Sequence, residues 1–102
     1  MTKIYIDLDG GELDVGVESG GSGSVVAAAG ILVCAAMKRL ESARGELDEL
    51  HVECGDGTAA LSAGASGDAV PIVRECGELL KCGFTLLANA FPDEIAVAGG
   101  CQ

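Results

Sequence analysis

The first eighteen residues impose the strongest constraint on the fold. Ile4, Ile6 and Leu8 alternate with polar neighbours in K-I-Y-I-D-L-D, Gly10-Gly11 reverses the chain, and Leu13, Val15 and Val17 alternate again in E-L-D-V-G-V-E. A period of two sends the apolar side chains of each segment to one face. The two segments therefore pair as an antiparallel hairpin, and something else must cover its apolar face.

The rest of the chain supplies that cover. Ser19 to Ser24 is a run of Gly and Ser with little conformational bias. Val25 to Ala43 then turns to helical spacing, with Ala29, Val33, Ala36, Leu40 and Ala43 along one stripe. Leu50, Val52 and Cys54 alternate with His51 and Glu53, and Gly55-Asp56-Gly57 reverses the chain into Thr58 to Ala63, giving a second hairpin. Asp68 can cap a second helix with Pro71 in its first turn and a core stripe of Ile72, Cys76, Leu79, Leu80, Gly83, Leu87 and Ala90. Gly77 and Gly83 each cost that helix ~1 kcal/mol relative to Ala, which close packing against a neighbour would offset. Pro92 ends it, and Glu94 to Ala98 reads as a short last strand. The expected fold is α/β (α+β), a two-layer sandwich of order ββαββα(β) with two helices on one face of a mainly antiparallel sheet. It forms one domain over residues 1–102, with 98–102 as a flexible tail.

Composition narrows the function classes. Sixteen acidic against six basic residues give a formal net charge of −10, which repels DNA, RNA and anionic membranes and steers a basic partner inward. Lys38, Arg39 and Lys81 interrupt the apolar runs before they reach a bilayer's span. The start of the chain has no apolar signal core, which points to the cytoplasm. Five cysteines without a C-x-x-C pair, and one imidazole, His51, indicate neither a disulfide framework nor a zinc site. No cofactor motif stands out: the Gly-Ser run lacks both a G-K-[ST] ending and a G-x-G-x-x-G opening. With no Trp and three other aromatics, the core is thin, and burial of a further apolar face in a homodimer would help it.

Cys34 is the thiol with a possible task. It lies about 120° from the middle of the first helix's core stripe, on a flank shared with Lys38 and Glu41. Two starts for that helix are open. With Ser24 as N-cap Cys34 is deep in the helix, whereas a start near Gly30 puts it in the first turn, where free N–H groups favour a thiolate. Cys54, Cys76 and Cys82 read as packing residues, and His51 as a solvated strand side chain.

The stretch I-L-V-C-A-A at Ile31 to Ala36, after a hairpin and a loop, resembles the D-I-V-C-A segment of the Prp-type ribosomal-processing cysteine proteases. Helix two followed by F-P-D-E-I-A-V at Phe91 to Val97 is similar to their C-terminal part. The resemblance implies a small α/β homodimer with a thiol nucleophile at Cys34 and a substrate loop including Gly20, Gly21, Gly23 and Ser24. It also implies a basic substrate, the N-terminal extension of a large-subunit ribosomal protein. The family's base is a His in a G-H-A motif, and here Gly21-Ser22-Gly23 stands in its place. A hydroxyl at Ser22 has no useful basicity at neutral pH. Ile31 replaces the family's aspartate, and Lys38 replaces a serine and becomes the cation available to stabilise a thiolate. Three readings follow: a thiol protease working without its histidine, a non-catalytic binding relative, or a native active-site loop replaced by a Gly-Ser linker.

Overall fold

The computed structural model describes residues 2–18, 23–55 and 58–98, with Cys54 and Gly55 by backbone only. The opening alternation becomes β1 (Thr2–Asp9) and β2 (Glu12–Glu18), paired antiparallel with Ile4 opposite Val17, Ile6 opposite Val15 and Leu8 opposite Leu13. Gly10 has φ +60, a conformation that L side chains avoid. A Cβ on Gly11 would strike the Ala65 carbonyl oxygen, and the Ala65 N–H donates to the Gly11 carbonyl at 2.8 Å. Both glycines of the turn are thus required, one for its backbone angle and one for the neighbouring chain.

The second hairpin is β3 (Glu49–Gly55) and β4 (Thr58–Gly64), and β4 pairs antiparallel with β2. The last strand, β5 (Ile95–Ala98), lies parallel to β1, with Thr2 opposite Ile95, and completes a five-stranded sheet of order β3-β4-β2-β1-β5. Ala98 therefore belongs to the sheet and not to a tail. The remainder of the expected tail, including Cys101, lies outside the described residues.

Both helices cover the same face. Helix α1 (Gly23–Glu41) packs over β2, β4 and β3, and α2 (Val70–Ala90) over β1, β5 and β2. The α1 stripe is the one its spacing predicts: Ala29, Val33, Ala36 and Leu40 are buried, joined by Val25. By length and composition α1 would suffice to cross a membrane, because its cations come only in the last turn. The buried stripe instead makes it a core helix of this sandwich.

Helix α2 departs from expectation at its start and in its rotation. Asp68 does not cap it. Residues Gly67–Ala69 form a short 3-10 turn, and Ala69 precedes the helix without a side-chain hydrogen bond. The residues facing the sheet are Val73, Cys76, Gly77, Leu80 and Phe84, whereas Leu79, expected inside, is 73% exposed. Two features set this rotation. Phe84 is the largest fully buried side chain, and placing it inward removes the most apolar area from water. Gly77 lets the helix settle on Leu8, whose Cδ2 would stand 2.8 Å from an added Cβ. Gly83 does the same against Leu32 of α1 at 2.9 Å, so close packing accompanies both helical glycines.

Candidate functional site

Helix α1 fixes the surroundings of Cys34. The helix runs unbroken from Gly23, so Gly23 and Ser24 form its first turn and are not part of a loop. Gly20, Gly21 and Ser22, the rest of the expected substrate loop and base position, lie outside the described residues. Cys34 lies eleven positions after Gly23, a rise of ~16 Å along the axis. The amide N–H groups at the helix start act only within the first turn. Of the two starts left open by the sequence, the structure takes the early one, and Cys34 has no support from the helix end.

Cys34 is nevertheless exposed. It shares the outer flank of α1 with Lys38 and Glu41, both exposed, as the helical angles require. Gly30, one turn before it, has no atom within 4 Å of an added Cβ, so the surface beside the sulfur is open. His51, the chain's one imidazole, is far from this flank in topology. It projects from β3 on the sheet face opposite the helices, and its Nε2 meets Glu53 Oε2 at 3.3 Å with both side chains about seven-tenths exposed. It is a solvated strand residue, as its alternation predicts.

The other thiols divide differently from the sequence reading. Cys76 is buried and Cys82 is exposed, the latter turned outward by the rotation of α2. The side chain of Cys54 lies outside the described residues. Cys76 packs, and it also lines a groove of about 330 Å³ along the α1–α2 seam. Leu32, Ile72 and Leu79 wall this groove, while Arg39 and Glu75 also line it. Burial pushes the Cys76 thiol above its ordinary 9.0, with Arg39 pulling it down and Glu75 adding to the rise. Sequence reasoning missed this groove because it assigned Leu79 to the core. The signal available was Gly83, which brings α2 against Leu32 and leaves Leu79 outward. Among the described residues, no cluster of three or more His, Cys, Asp or Glu side chains suits a metal ion.

Strand order, two helices on one face and a solvent-facing thiol on the first helix define a small two-layer α/β domain. Compared with solved structures, this chain has the Prp-type fold. The ribosomal processing protease Prp from S. aureus, solved with a substrate peptide, aligns at TM-score 0.72 with 12% identity over 98% of this chain and 100% of that one. The same protease with a covalently linked product peptide gives 0.72 and 14% over the same shares. The SMU.848 protein of Streptococcus mutans gives 0.67 with 20% identity over 100% of this chain and 96% of its own. No protein-family profile and no curated protein matches the sequence.

Proposed function

We propose that this chain is a Prp-type cysteine protease homologue that engages an extended basic peptide, the N-terminal extension of a large-subunit ribosomal protein, with Cys34 as its nucleophile and slow turnover. One observation carries the reading. In a chain that shares the protease fold over nearly its full length, the Cys34 sulfur on α1 faces solvent. In the reaction, the Cys34 thiolate adds to a peptide carbonyl carbon, the C–N bond breaks, and the departing amine takes a proton from water. Water then hydrolyses the thioester and restores the thiol. A few per cent of an ordinary thiol is ionised at pH 7, and Lys38 stands one turn on from the sulfur.

A second reading, a non-catalytic dimeric relative that keeps the fold and a peptide groove, is favoured by the helix itself. Gly23, the first described residue of α1, is ~16 Å from Cys34 along the helix axis, and proton transfer needs contact at ~3 Å or one bridging water. The homodimer belongs to both readings. Ile31, Leu79 and Leu86 are each about 70% exposed and flank the helix seam, where a second copy would cover them. A cytoplasmic setting, in which thiols stay reduced, suits both readings as well.

Cleavage of an extended ribosomal-protein peptide decides between them. The protease reading expects slow cleavage that Cys34→Ala abolishes; a peptide that binds yet is never cut in a Cys34-dependent way leaves the binding relative. Ser22→His is expected to gain less than about tenfold, against the ~10² to 10⁴ that a positioned base supplies.

A further inference from the structure

The sheet has a second face, and no described element covers it. Alternation places Lys3, Tyr5, Asp7 and Asp9 of β1 there, with Glu12, Asp14, Gly16 and Glu18 of β2 and Glu49, His51 and Glu53 of β3. Seven carboxylates thus face one lysine and a histidine already paired with Glu53. Five of the six basic residues, Lys38, Arg39, Arg44, Arg74 and Lys81, lie instead on the helical layer and its connections. The molecule's charge is divided between its faces.

Two details go beyond what solubility requires. The first is register: Asp7 stands opposite Asp14, and Asp9 opposite Glu12. Like charges directly opposite each other destabilise a sheet. Ser62 Oγ donates to Asp14 Oδ1 at 2.7 Å, but among the described residues no ion pair engages Asp7, Asp9, Glu12 or Asp14. The second is a trough of about 500 Å³ beside them, formed where Gly16, Ala60 and Ala98 surround the half-exposed Tyr5. Gly16 sits in the middle of β2 without positive φ and with nothing within 4 Å of an added Cβ. Neither backbone geometry nor packing inside the domain asks for glycine, and close approach of another backbone or a ligand is one use of such a strand residue.

We infer that the open sheet face is a docking surface for a cationic polypeptide segment, whose Lys or Arg heads meet the Asp7, Asp9, Glu12 and Asp14 carboxylates while its backbone or aliphatic stems lie in the trough over Gly16. Charge selects this occupant. A second copy would set seven carboxylates against seven, and nucleic acid is repelled by the same field. Long basic side chains suit a surface of this pattern, since their stems cover apolar ground while their heads stay with the carboxylates. The inference makes no use of Cys34 and stands or falls apart from the protease reading.

Fluorescence anisotropy with a short labelled peptide of alternating Lys, Arg and Ala tests it on the full chain. Binding is expected at low salt and is expected to weaken as salt rises. Asp7→Lys with Asp14→Lys should weaken it about tenfold or more, within the range that surface fields produce. Glu46→Lys with Asp68→Lys makes the same change in net charge on the helical side and should alter binding by less than about twofold. Gly16→Thr should keep or raise stability, since Thr favours strands, and should also lose affinity. Cys34→Ser should bind like the parent chain. Equal weakening by the two charge-reversal pairs, full binding by Gly16→Thr, or no binding at low salt each overturns the inference.

Discussion

Cys34 and Cys76 lie on the two helices of one layer and divide between them what a thiol site needs. Cys34 has solvent, an open surface beside Gly30 and a cation one turn on, but it stands outside the seam groove. Cys76 has walls and a nearby guanidinium, but it is only 5% exposed and burial holds its proton. The contrast arises from rotation. One residue along a helix turns a side chain by about 100°, enough to move a sulfur from the core to water. Apolar surroundings and solvent access therefore belong to different cysteines here, and a groove beside a thiol is no evidence that the thiol is the nucleophile.

The sharpest way to break this contrast is to label both sulfurs with iodoacetamide under native conditions. Cys34 should react in the manner of a free thiol, and Cys76 about a hundredfold more slowly or less, because its modification waits for local opening of the α1–α2 seam. Comparable rates, read by peptide mass mapping, would remove the distinction.

A pair of glycine substitutions sharpens it at the level of stability. Gly83→Ala brings a methyl to 2.9 Å from the Leu32 side-chain end, and the shift of Leu32 is expected to offset most of the ~1 kcal/mol helix-propensity gain, leaving a net change under about 0.5 kcal/mol. Gly30→Ala, beside Cys34 and free of neighbours, should instead stabilise by about 0.5–1 kcal/mol. A gain at Gly30 that exceeds the one at Gly83 in chemical denaturation would show that the seam is packed and the Cys34 flank is not; equal gains would remove the difference.

The smallest effect is in pH. The Cys76 pKa is raised in the folded state, so above about 9.0 the unfolded chain gives up this proton before the native one does. The associated stability is complete below that pH and declines as pH rises through the folded-state value. Cys76→Ala should flatten that alkaline decline, and Cys34→Ala should leave it in place.

Most of the fold was legible because period-two alternation and one clear helical stripe leave few choices. Both hairpins, the inward side of α1 and the presence of a last strand follow from spacing alone. The rotation of α2 was not legible, because its sequence carries apolar residues on more than one side. Ile72, Leu79 and Leu86 compete with Val73, Leu80 and Phe84, and only contact with Leu8 and Leu32 decides between them. The start of α1 was obscure for the opposite reason. Gly, Ser and Ala before Gly30 offer no capping box and no acidic first turn, so local chemistry does not mark the boundary. That ambiguity carried directly into the site, since the helix start decides whether Cys34 has the support of free amides. The acidic sheet face was present in the letters as alternating Asp and Glu, but only strand register brings Asp7 to Asp14 and Asp9 to Glu12.

The parallel pairing of β5 with β1 has a further consequence. Thr2 N–H donates to the Glu94 carbonyl at 2.7 Å, and the first strand is held on one side by its immediate neighbour and on the other by a segment more than ninety residues away. The hairpin can zip early from local contacts, while the edge beside it stays bare until the whole intervening chain has been laid down. Closing so long a loop adds little entropy beyond that of a shorter one, so the delay lies in search time more than in stability. During that interval β1 offers an unpaired rim to any passing strand.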